Sequence, residues 1–454
     1  MEKGRVADLE ARLENVERRL AALEDASRDI VDYEPEETGP VLAEGFASNA
    51  SLHLGRVLLI FGGAYLLRAI TDSQFVATGL GISLGAAYAV FWLYLAFRKA
   101  HDEKQRASAV FYGASSALLA LPLLAEAVSK FELLSGLQGI VALAVFVALG
   151  LAVAAIRDLR SIGWLVTVGA LVTAAAMLMA TRVAVPATAL IIVLGLAVLW
   201  LVYLREWKGM QWLAAIAANV SVITLAVLAR SDQWAISAGT ATLFGVVLLM
   251  TYLLSFVMRI YIGRHAPGIF EATQSLLVIA VSVVVASVEP ELGERALDWL
   301  GWLALLLAGL AYAAAFSAKY RAARGSGFYY FSTLGLVLAI VGTILILPAV
   351  QAALLWSIMA VAVAWLSGRL GWVSLSLQCT VLIFGAGIAS GILAAGLESL
   401  AGDVTVAWTQ ANVWHLGIAL STVACLFIPV AQHSDRWGRA AGLPQLTVLA
   451  LSVW

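Results

Sequence analysis

Eight side chains could do chemistry or hold a polar ligand, because each is a charge, an amide or an imidazole set in or against an apolar run: Arg56, Arg68, Asp72, Glu126, Asn219, Glu271, Gln378 and His415. Such groups are expensive in hydrocarbon, so they usually face a protein interior or a wet cavity and mark candidate substrate-facing positions. Arg68 and Asp72 lie one helical turn apart, a spacing that lets them pair and hold an anionic head group. Against that stands snorkelling, in which Arg56 and Arg68 reach opposite interfaces and anchor the helix. Glu126 is a similar case near the end of a span. Glu271 falls in the first turn of a span, where an acid also complements the helix dipole. Asn219 and Gln378 are amides well inside spans, suited either to binding solute or to fastening helices together. His415, beside Trp414, is the one histidine on the outward side by the threading below, and so the one imidazole available there as an acid or base.

Much chemistry is absent from the sequence. No histidine pair has metal-ligand spacing, and Cys379 and Cys425 both sit in apolar runs, where they act as small hydrophobes. Phosphate loops and nucleophile elbows are missing. The glycine-rich GLGISLGAAYA has small residues at helical spacing and no preceding strand, which fits close helix packing. Catalytic residues, cofactors and metals therefore go unassigned, and the balance leans away from an enzyme.

The elements that must position these residues are membrane helices. Hydrophobic residues make up 62% of the chain, charged residues only 13%, and mean hydropathy is +0.92, outside the range of soluble globular chains. An all-α, polytopic transmembrane bundle follows. A first span over 51–71 precedes thirteen more apolar runs, at 75–97, 107–128, 136–156, 162–181, 184–204, 212–229, 234–258, 269–288, 297–318, 328–347, 349–366, 370–396 and 411–430. LPQLTVLALSVW then begins a fifteenth run that stops at Trp454, as though a longer protein continued. Loops after even-numbered spans carry sixteen Lys and Arg, those after odd-numbered spans four. The positive-inside rule then puts the N-terminus in the cytoplasm of a bacterial inner membrane. Tryptophans such as Trp92, Trp164, Trp207, Trp234, Trp299 and Trp372 lie near span ends, as interface anchors would. No loop is long enough for an inserted soluble domain.

Ahead of the spans, residues 1–30 follow a heptad, with Val6, Leu13 and Leu20 at a and Leu9, Val16 and Leu23 at d. Arg5, Arg12 and Arg19 take g; Glu10, Glu17 and Glu24 take e. A parallel pair sets each arginine against a partner glutamate, which favours a parallel homo-oligomer, a dimer first. The alternative is one amphipathic helix lying on the protein's own cytoplasmic face. Arg12→Glu combined with Arg19→Glu is expected to weaken self-association in light scattering, and an unchanged oligomer mass would reject the pairing. Residues 31–50 are acidic and proline-containing, a flexible linker to the membrane domain at 51–454. Further partners are membrane lipids and other envelope proteins; nucleic acid has no support.

Spans two and three resemble spans ten and eleven, which suggests two parallel repeats of about eight spans. The heptad segment, the acidic linker, the span GRVLLIFGGAYLLRAI and the later LPAVQAALLWSIMAVAVAWLSGRLGW resemble the bacterial predicted membrane proteins catalogued as domain of unknown function 2339. The resemblance covers most of the chain. It implies an N-terminal coiled coil joined to many spans, in proteins often longer than this one, and brings no substrate, cofactor or catalytic residue. Three classes of function follow: transport or handling of a lipid or small solute, a non-catalytic oligomeric scaffold, and a transferase acting on a lipid-linked substrate through outward groups such as Arg68, Asp72, Glu398, Asp403 and His415.

Overall fold

The computed structural model describes residues 77–231, 233–234, 236–237, 239–288, 293–317, 326–370, 373–394 and 413–427, with Gly55, Gly62, Gly63, Tyr65 and Ala69. The heptad segment, the linker, Arg56, Arg68, Asp72, Glu398, Asp403 and the fifteenth apolar run lie outside the described residues.

Among the described residues the chain is all-helical. The helices are α1 (Thr78–Lys99), α2 (Arg106–Ser129), α3 (Gly136–Arg157), α4 (Arg160–Thr181), α5 (Ala184–Arg205), α6 (Met210–Ala229), α7 (Thr240–Val257), α8 (Ile269–Val288), α9 (Gly293–Ala315), α10 (Ser326–Ile346), α11 (Ala349–Leu370), α12 (Val373–Ala389) and α13 (Val413–Ala424). Eleven, α1 to α11, are long and apolar enough to cross a membrane, and each coincides with one run from the second to the twelfth.

Two boundaries differ from expectation. Trp234 precedes its helix, because Gly239 at φ 83° begins α7. The run 370–396 is split: α11 already reaches Leu370, and α12 ends by Ala389 before Gly391 at φ 78° turns the chain. Of the fourteenth run, the described residues form α13, which passes into a 3₁₀ turn at Cys425–Phe427, and residues 411–412 and 428–430 lie outside them. Left-handed residues stop other helices without glycine: Asp158, Arg182 and Glu206 end α3, α4 and α5. At the other end of α3, Ser135 and Gln138 form a capping box.

The chain divides within α2 into two compact units, 1–116 and 117–454. In the first, α1 is joined to the start of α2 by the Ser116 hydroxyl, which donates to the Ala89 carbonyl at 2.7 Å. Nearby, Trp92 packs between Tyr88 and Tyr112.

The second unit is a chain of antiparallel pairs, α3 on α4, α5 on α6, α7 on α8, α9 on α10 and α11 on α12, with α8 also touching α6 and α10. Small residues let the backbones close up, as expected where lipid supplies no hydrophobic drive between helices. α9 and α10 approach closely, and a Cβ on Gly342 would stand 2.8 Å from the Gly301 carbonyl oxygen. Trp207 is buried at 5% exposure, and its indole donates to Asp158 at 2.8 Å. It therefore ties the α3–α4 turn to the α5–α6 turn and does not serve as an interface anchor. Trp299, 77% exposed, keeps the surface position an anchor needs.

Candidate functional site

The most polar part of the interior lies where α5, α6, α7, α8 and α10 meet. Along α8 the residues Glu271, Gln274, Ser275 and Ser282 share one face, at steps of three, four and seven, and all are buried. The outward faces of the same helix carry Leu276 and Val284. This stripe can be buried because each side chain meets a partner from another helix or from its own preceding turn.

Glu271 shows how complete that matching is. It is 2% exposed, and every neighbour donates to it. Arg259 forms an ion pair with Oε1, the Tyr203 hydroxyl donates to the same oxygen at 3.0 Å, and the Gly268 amide donates to Oε2 at 2.8 Å. A surround made only of donors matches a carboxylate, whose oxygens accept. Arg259 reaches it because α7 widens into a π-turn at Met258–Ile262, which shifts the register of the last turn. Its guanidinium then stands 3.9 Å over the Tyr203 ring. Glu271 is thus more than a complement to the dipole of α8. It pins the Gly263–Gly268 loop to the bundle.

One turn further along α8 the matching is incomplete. Asn219, 5% exposed, donates to the Ala215 carbonyl at 2.9 Å and to Gln274 Oε1 at 3.1 Å. Asn219 Oδ1 and Gln274 Nε2 have no protein partner, nor has the Tyr252 hydroxyl. The pair fastens α6 to α8, as an intramembrane amide can, yet retains one acceptor and one donor. Replacing Asn219 with leucine is expected to cost about 1–2 kcal/mol, since Gln274 then loses its partner. Leucine at both positions should recover most of that loss in thermal unfolding, and a double variant no better than the single would show that the amides do not act as a pair.

Beside this interior, α8 and α10 leave a cleft of about 290 Å³. Its roof is Pro267 and Gly268, the segment that Glu271 holds. Ser275 and Tyr330 close its inner wall by sharing a hydrogen bond of 2.7 Å, and the Ser275 hydroxyl also donates to the Glu271 carbonyl at 2.6 Å. Ser326, Tyr329 and Thr333 add hydroxyls from α10, followed by Leu334 and Val337. Leu276 and Tyr329, both about half exposed, form the outer rim. Two larger clefts have different linings. One of about 660 Å³ between α11 and α13 is lined, among the described residues, by apolar side chains with Ser421 and the Trp365 indole. One of about 480 Å³ between α7 and α9 has Thr242 and Arg295.

The other predicted positions lie apart. Glu126 is half-buried in the last turn of α2. Gln378 is 4% exposed on α12, with neither end of its amide bonded. His415 Nε2 lies 3.1 Å from the Ser390 carbonyl, bridging α13 to the end of α12. Arg259, Tyr203, Gln274, Ser275 and Tyr330 were not singled out from the sequence. The signal available was Gln274 and Ser275, polar residues one turn beyond Glu271 in an otherwise apolar run. Among the described residues no group of three or more metal-ligating side chains occurs.

The fold and this interior define a multi-pass helical membrane protein with a buried ion pair and a lateral amphipathic cleft. Comparison with family models, with curated proteins and with solved structures returned no match.

Proposed function

We propose that this protein binds and handles a membrane lipid or a small amphipathic solute, and that the α8–α10 cleft is where it does so. The supporting observation is the polarity gradient along the cleft. Ser326, Tyr329, Tyr330 and Thr333 occupy the first two turns of α10, and Leu334 and Val337 come next. Between Ser326 and Val337 the helix rises about 16 Å, close to the depth of one leaflet in a hydrocarbon core of about 30 Å. A lipid has the same sequence of surfaces over the same distance, polar at the interface and apolar below. The rim residues Leu276 and Tyr329 are exposed on spanning helices, which gives entry sideways from the bilayer.

The basic-residue asymmetry supports a threading in which the roof of this cleft faces the cytoplasmic side of a bacterial inner membrane. The heptad segment would gather copies there as a parallel homo-oligomer. Lipid analysis of the gently purified protein tests the central reading. A lipid held at about one per chain in the parent and lost in Thr333→Trp supports it; equal retention in both would refute it. Thr333 is exposed, so the bulky side chain fills the cleft without entering the core.

A further inference from the structure

We infer that the cleft selects a lipid whose head group is uncharged and carries free hydroxyls, of the diacylglycerol or long-chain alcohol type, over a lipid with a phosphate head. This inference rests on the proposed lipid-handling role of the same cleft.

Among the described residues no charged side chain lines the cleft. The nearest carboxylate, Glu271, is turned away behind Ser275 and saturated by Arg259, Tyr203 and the Gly268 amide. Arg259 is committed to that carboxylate. A phosphate entering the cleft would lose water and meet no cation among the described lining residues, which is costly for a charge. A hydroxyl head meets the opposite situation. Ser275 and Tyr330 are 2% and 9% exposed and lie 2.7 Å apart; with the Ser275 proton on the Glu271 carbonyl, Tyr330 donates to Ser275 and its own oxygen is left to accept. Ser326, Tyr329 and Thr333 add hydroxyls that both donate and accept. An alcohol can join such a set in either sense without leaving a buried polar atom unpaired, and its acyl or prenyl chain lies on Leu276, Leu334 and Val337.

Full-length protein in mild detergent, titrated by native mass spectrometry with dioleoylglycerol and with dioleoylphosphatidic acid, tests this, because the two lipids share their chains and differ by the phosphate. Expected is binding of the diacylglycerol about tenfold or more tighter, a difference of about 1.4 kcal/mol, abolished in both Thr333→Trp and Leu276→Trp. Leu276 is at the exposed rim, so its variant folds even if the other does not; helicity and elution volume check both. Phosphatidic acid binding equally or more tightly, and still sensitive to both tryptophans, would overturn the head-group selection and leave lipid handling standing. Binding of both lipids that ignores both tryptophans, or binding of neither, would overturn the cleft as the site and the proposed function with it.

Discussion

Glu271→Ala is expected to destabilise the membrane domain by about 3–5 kcal/mol. The reason is the uncompensated partner more than the lost attraction. Glu271 is almost fully buried, and removing it leaves the Arg259 guanidinium facing Tyr203 with no counter-charge and the Gly268 amide with no acceptor. Arg259→Met alone should cost a similar amount, by leaving the carboxylate unpaired. Combining Glu271→Ala with Arg259→Met should cost much less than the sum, because a buried ion pair replaced as a unit is often neutral. Thermal unfolding in detergent measures all four states of this cycle. Single variants each costing under about 1 kcal/mol, or strictly additive effects, would show that the pair is solvated and holds nothing. Because the carboxylate also fixes Gly268, the cleft roof, Glu271→Ala should lower lipid retention in whatever fraction remains folded.

The bundle was legible in the sequence and the site only partly so, for reasons visible at particular residues. Length and hydropathy decide a spanning helix, and eleven runs became eleven helices within a few residues. Where the expectation slipped, at Trp234 and over 370–396, glycines at positive φ and the overrun of α11 set the boundary, and a hydropathy window cannot see backbone conformation. Asn219 and Glu271 were found because a polar group in an apolar run is costly and needs a reason. Their partners were hidden. Arg259 counts as a loop charge by position, and only the π-turn at Met258–Ile262 turns it inward. Tyr203 and Tyr330 look like ordinary span-end aromatics until α5 and α10 bring their hydroxyls to α8. Single-sequence periodicity says which face of a helix is polar, not which helix it meets. His415 lies apart from this interior, its Nε2 3.1 Å from the Ser390 carbonyl.

Gly342→Val is expected to cost about 1–3 kcal/mol, at the upper end of that range, through overpacking. The side chain would project at Gly301, whose carbonyl oxygen already lies 2.8 Å from where a Cβ would stand, and Leu305 fills the space beside it. A flexible side chain can swing aside; the backbone of α9 cannot. The helices must separate or slide, and α10 is not free to follow its partner, because Thr343 accepts a hydrogen bond from the Trp356 indole of α11 at 2.7 Å. The strain therefore travels along α10 to Thr333 and Tyr330, which line the cleft against α8. Two readouts should move together: a lower unfolding temperature and weaker diacylglycerol retention. Gly309→Val on α9, where a Cβ meets nothing within 4 Å, serves as the control and should change neither. Lower stability with unchanged lipid retention would mean that the α9–α10 contact holds the fold without positioning the cleft, and that α8 alone sets its width.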